Sequence, residues 1–211
     1  GLSMVYSGGW HDAGDLSQQT LQTGEVAQAL FELAAAVKED TLLSGRLMEE
    51  ACWGLDLVLR SRFGDGVRAF SVGISRWTNG LIGDYDGETV RCHNRSFDNF
   101  LLSGVEAFAA EQLQTENPEL SWVCLNAAKE DYRFARERYD QVGMENCVQM
   151  EHTYNASLSQ YYAVMAWSSA LIYRQTGEMY YEKEAETYSN HMLDCQDIGE
   201  AGLPFTGFFY R

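Results

Sequence analysis

Apolar residues return every third or fourth position along most of the chain, and that spacing predicts six helices. The first runs from about Ser17 to Val37, with a stripe of Val26, Leu30, Leu33 and Val37 widened by Ala27, Phe31 and Ala34. A second covers Leu42 to Arg60, with Leu43, Leu47, Ala51, Leu55 and Val58 in line, and Gly64-Asp65-Gly66 ends it. Helical spacing resumes with Ser96 as N-cap and Phe97, Phe100, Leu101, Val105 and Phe108 behind it. The fourth helix spans Pro118 to Arg138, proline being well suited to a first turn. Its stripe is Trp122, Leu125, Ala128, Tyr132, Ala135 and Tyr139. The fifth, Ser157 to Thr176, stops at Gly177 and is apolar nearly all round, the mark of a helix buried on both sides. The sixth covers Glu178 to Cys195, with Tyr181, Ala185, Tyr188 and Met192 aligned. Trp53, Trp122 and Trp167 fall on helical stripes and are assigned to the core.

Between the second and third helices the pattern changes. Residues 64–94 carry isolated aromatics and no helical period, so the segment reads as an irregular excursion. A short hairpin, Val67–Val72 against Thr89–Cys92, is its one regular feature. Long irregular loops in a compact domain are usually functional. The fold class is therefore all-α, built of paired antiparallel helices. A ring of such pairs and an ordinary bundle both satisfy the periodicity.

The chain has 211 residues, enough for one domain over 1–211 with a substantial core. Its net charge of −16 repels phosphate backbones and anionic membrane surfaces, so neither nucleic acid nor membrane is expected as a partner. No apolar run is long enough to span a bilayer. The five cysteines are widely spaced, without a C-x-x-C, and read as buried thiols. Asp65, Asp84 and Asp86 lack the spacing of a calcium loop and read as solvated turn carboxylates. No metal and no cofactor is expected.

The chemistry concentrates near the start, in Gly8-Gly9-Trp10-His11-Asp12-Ala13-Gly14-Asp15. Two carboxylates stand three residues apart in a glycine-rich run just ahead of a helix. Glycines admit tight backbone conformations and let both carboxylates aim at one point. Two aspartates so aimed can hold a water and accept its proton. An N-cap role explains one Asp, not two together with three glycines and a Trp.

This run resembles the GGW-x-DAGD signature of the glycoside hydrolase family 9 catalytic domain. Glu50-Ala51-Cys52-Trp53-Gly54-Leu55-Asp56, followed by Leu59, is similar to the family's E-A-x-W-G-x-D-x-x-L segment. The resemblance implies a partial (α/α)6 toroid, this chain having room for about three of six helical pairs. It implies an inverting hydrolase of a β-linked glycan, with Asp15 as general base and Asp12 orienting the water. Such an enzyme places its acid and base about 6.5–9.5 Å apart. Nothing in the chain matches the family's acid, a Glu, and Glu200 lies in no acid motif. Where many members continue with a Lys-aromatic pair and a Pro, this chain has Leu16-Ser17-Gln18-Gln19-Thr20, so the resemblance does not carry cellulose as the substrate. A secreted or periplasmic location likewise follows from the family alone.

Candidate substrate-binding residues are Trp10, His11, Trp77, Tyr85, His93 and Arg95. Trp10 can wall a sugar subsite or pack beneath its own loop. Trp77 and Tyr85 can form a platform for sugar rings or anchor the excursion. His93-Asn94-Arg95 can meet sugar hydroxyls or close a loop-end network. An oligo- or polysaccharide is the expected partner. A half-toroid should also expose an apolar face and self-associate, the fifth helix being the first suspect. The alternative to an enzyme is a non-catalytic carbohydrate-binding or scaffold half-toroid.

Overall fold

The computed structural model describes residues 8–11, 18–73, 89–145 and 158–195. Six helices dominate the described residues: α1 (Thr20–Ala36), α2 (Thr41–Arg60), α3 (Ser96–Leu113), α4 (Pro118–Val142), α5 (Leu158–Thr176) and α6 (Met179–Asp194). Each matches a stretch of helical spacing, and the boundaries follow local chemistry. The Asp40 carboxylate accepts from the Leu43 N–H at 3.0 Å, capping α2. Asn117 does the same for Leu120 at 3.1 Å, directly ahead of Pro118. Gly177 closes α5, its N–H donating to the Tyr173 carbonyl at 2.8 Å.

Among the described residues four strands accompany the helices, and they correct the expectation of an irregular excursion over its described parts. They are β1 (Gln18–Gln19), β2 (Arg62–Gly64), β3 (Val67–Gly73) and β4 (Thr89–His93). β3 is central and antiparallel to the other three. β4 runs the length of β3, as the hairpin reading anticipated, leaving β1 and β2 to share the opposite edge. Gly64-Asp65-Gly66 does not stop the helix, which ends at Arg60 with Ser61 as its C-cap; it turns a hairpin. Gly64 pairs with Val67, and Asp65 and Gly66 between them both have positive φ, 48° and 67°. That is the Asp-Gly turn whose twist suits a two-residue hairpin. The first helix begins at Thr20 rather than Ser17, because Gln18 and Gln19 pair with Val72 and Ser71.

The chain divides into two compact units, residues 1–94 with 108–127, and 95–107 with 128–211. In the first, Phe31, Ala51, Leu55, Ala109, Ala110, Leu113 and Cys124 form the core. Small residues dominate it, so helices approach closely. Ser121 Oγ donates to the Ala110 carbonyl at 2.6 Å across one such approach. In the second unit the core is aromatic. Tyr132 meets Phe100 and Tyr181 edge to face at 5.2 and 5.4 Å, and Tyr161 meets Phe97 at 5.3 Å. Trp167 lies over Gly104, where an added Cβ would fall 2.0 Å from its ring.

Helical period located the helices but misjudged several buried faces. α1 buries Ala27, Phe31 and Ala34, while Val26 and Leu33 are 44% and 48% exposed. Trp53 and Trp122, assigned to the core, are 52% and 69% exposed. Around Trp122 the inward positions belong to Ser121, Cys124 and Ala128, because a closely approaching helix leaves room only for small side chains. The fifth helix shows no exposed face of large apolar residues among its described positions beyond Leu158. Exposed apolar side chains are spread over the other elements, Val26, Leu33, Leu42, Leu43, Trp122 and Met179 among them.

Candidate active site

Residues 8–11 form the described entry to the aspartate-bearing segment. Asp12 and Asp15 themselves lie outside the described residues, as do Trp77 and Tyr85. Gly8 and Gly9 take φ of 99° and 66°, the left-handed region that L side chains seldom adopt. Space forbids a side chain at Gly9 as well, since a Cβ there would stand 2.5 Å from Leu57 Cδ2 and 2.9 Å from Thr23 Oγ1. Beside Gly8, an added Cβ would meet the Arg60 guanidinium at 3.2 Å. Arg60 is itself paired with Asp56 one turn back at 2.7 Å.

One face of α2 receives this entry. Trp10 Nε1–H donates to Glu50 Oε1 at 2.9 Å, and Trp53 Nε1–H donates to the Gly9 carbonyl at 3.1 Å. The Trp10 ring lies over Gly54, where any Cβ would come within 2.6 Å of it. Glu50, Trp53, Gly54 and Leu57 share a helix face by their three- and four-residue spacing. The two sequence segments singled out separately, Gly8-Gly9-Trp10 and Glu50…Trp53-Gly54, are thus one structural unit, forty residues apart in the chain. Trp10 packs on α2 and spends its N–H on Glu50. His11 follows it as an exposed side chain. At the far end of the segment, Gln18 Nε2 donates to the Gly8 carbonyl at 2.9 Å, so residues 8 and 18 are tied together.

His93 ends β4 opposite Arg68, its ring 4.4 Å from Phe70. Arg95 is 5% exposed and grips the Asp98 carboxylate with Nε and Nη2, each at 3.1 Å. It organises the first turn of α3. The periodicity gave no sign of the cluster beside it. Glu145 Oε2 accepts from the Ser96 N–H and Oγ at 2.9 and 3.2 Å, capping α3 from a distant residue. Ser96 is therefore the first helical residue and not the cap. Arg138 holds Glu145 through Nε and Nη2 at 2.5–3.0 Å, and Tyr161 OH accepts from the Glu145 N–H at 3.0 Å. Burial works against ionisation of Glu145, but the bonds from Arg138 and the Ser96 backbone outweigh it and hold the carboxyl below its usual value. Burial pushes the Tyr161 hydroxyl up. Only a Ser ahead of an apolar run hinted at this site.

Among the described residues no group of three His, Cys, Asp or Glu could hold a metal ion. No described helix is long and apolar enough to cross a membrane.

Helices α1 and α2 pack as one pair and α5 and α6 as another, and the fold class, shared with solved structures, is a partial (α/α)6 toroid. The endoglucanase of the termite Nasutitermes takasagoensis superposes with a TM-score of 0.69 at 17% identity, over 95% of this chain and 48% of its own. The cellulase Cel9M of C. cellulolyticum gives 0.67 at 20% identity, over 90% and 47%. Endoglucanase CelQ from Clostridium thermocellum, solved with cellotriose, gives 0.63 at 19% identity, over 86% and 30%. The chain spans less than half the length of each. The sequence model of Glycosyl hydrolase family 9 matches residues 3–204, and the chain belongs to that family.

Proposed function

We propose that this chain is the base-carrying part of an inverting glycoside hydrolase that cleaves a β-linked glucan. Asp15 takes the proton of the attacking water and Asp12 orients that water. The observation that carries this reading is the family match over residues 3–204, which takes in both aspartates. Two features support it: the fixed entry at Gly8–Trp10, and the structural neighbours named for cellulase activity, one solved with cellotriose and cellotetraose. An inverting enzyme needs a general acid across the sugar ring from the base. No residue of this chain is assigned to that role. We place the acid in the part of the fold that the solved neighbours possess and this chain does not span.

Trp10, His11, Trp77, Tyr85 and His93 remain the proposed glycan contacts, and Arg95 is not one of them. His11 has the exposure for direct contact, while Arg95 acts through the turn it organises. A polymeric glycan is met outside the cytoplasm, which supports a secreted or periplasmic location. The exposed apolar side chains of α1 and α2 support self-association of the isolated chain.

In the full-length protein, Asp15→Asn should lower kcat on β-glucan by about 10²–10⁴-fold, the usual worth of general-base catalysis, with glycan binding kept. Wild-type turnover in that variant would remove Asp15 as the base. Glycan binding without turnover by the wild type would make the protein a binding scaffold instead.

A further inference from the structure

We infer that Glu50 and Trp53 are positioning residues for the reaction, holding the backbone that leads into Asp12. The inference rests on the proposed hydrolase reading and extends it to side chains 35–41 residues from the aspartates.

The geometry shows a clamp rather than incidental contact. Two indole N–H bonds cross the contact in opposite senses: Trp10 donates from segment to helix, and Trp53 donates from helix to segment. Between them Gly9 is pressed against Leu57 and Thr23 with no room for a Cβ, and Gly54 is kept bare under the Trp10 ring. The Gly9 carbonyl that Trp53 holds is three residues from Asp12. Gln18, paired in the sheet with Val72, fixes the other end through the Gly8 carbonyl. The backbone at residues 8 and 9 is therefore held from two sides, by Gln18 and by Trp53. Trp53 is 52% exposed, so core packing does not explain a Trp here. Glu50 is exposed as well. Each spends its polar group on residues 9 or 10. A reacting group misplaced by about 1 Å can cost a hundredfold in rate, so anchors of this kind act on kcat more than on folding.

The test compares variants of the full-length protein hydrolysing cellotetraose and a soluble β-glucan. Trp53→Phe keeps the ring and removes the N–H. Glu50→Ala removes the acceptor for Trp10, whereas Glu50→Gln keeps an amide oxygen that can accept the same bond. We expect kcat to fall about 10–100-fold in W53F and E50A with KM within twofold. E50Q should return to near wild type. Hydrogen exchange should quicken in the peptide covering residues 8–19 and stay unchanged in α5 and α6. Wild-type kcat in W53F and E50A, beside an inactive Asp15→Asn, overturns the positioning role and leaves the hydrolase reading intact. An equal loss in E50A and E50Q overturns the role of the Trp10 bond. An active Asp15→Asn overturns the hydrolase reading, and this inference with it.

Discussion

Two glycines of α2 make opposite predictions for the same substitution. Alanine is favoured over glycine in a helix interior by about 0.8–1 kcal/mol. At Gly45 an added Cβ meets nothing within 4 Å, so Gly45→Ala should stabilise the protein by that amount. At Gly54 the same Cβ would stand 2.6 Å from two atoms of the Trp10 ring and 3.2 Å from the Ala27 Cβ. Carbon atoms pack best at about 3.5–4.0 Å, so the overlap with the indole is close to 1 Å. Overpacking of this kind costs about 1–3 kcal/mol. Displacing the indole also costs its bond to Glu50, worth about 0.5–1.5 kcal/mol. Set against the helix preference, Gly54→Ala should destabilise by about 0.5–3.5 kcal/mol. Urea unfolding monitored by far-UV circular dichroism measures both variants, with the slope checked for constancy. In a Trp10→Ala background the penalty should shrink by at least about 1 kcal/mol, because the obstacle is gone. If Gly54→Ala stabilises as much as Gly45→Ala, the indole does not sit on α2 and the clamp is refuted.

Glu145 links stability to pH. Its folded carboxyl lies below the ordinary value of 4.5, so its contribution is present above that value and is lost as the pH falls below it. Glu145→Gln should cost about 1.5–3 kcal/mol at neutral pH and flatten the stability curve below pH 4.5, read by chemical unfolding across pH. An unchanged acid limb would show that the Arg138 pairing carries no stability. The isolated chain should sediment as a dimer or larger at micromolar concentration, since α1 and α2 expose apolar side chains at Val26, Leu33, Leu42 and Leu43. A monomer at every concentration would refute that association.

Local chemistry determined a good part of this protein. A repeat of three to four residues gives a helix one apolar face and gives a strand none, so the six described helices were legible, most within a few residues of their ends. The hairpin of Val67–Val72 with Thr89–Cys92 stood out because helical spacing lapses between α2 and α3. The acidic signature and its glycines were legible for a similar reason: positive φ and close approach restrict residue choice at the position itself. Burial was different. α1 carries two apolar lines, Val26 with Leu33 and Ala27 with Phe31, and periodicity cannot choose between them. The neighbouring α2 chose the second, because Ala27 and Gly54 allow close approach and larger side chains do not. The same physics left Trp122 outside while Cys124 and Ala128 went in. Trp53 stands outside for another reason: its partner is the Gly9 carbonyl, a contact that exists only once the chain has folded back on α2. Glu145 capping Ser96 across forty-nine residues is of the same kind. Side-chain period is a property of one element. Which face is buried, and which distant groups bond, are properties of two elements and the space between them, and only the tertiary structure decided those.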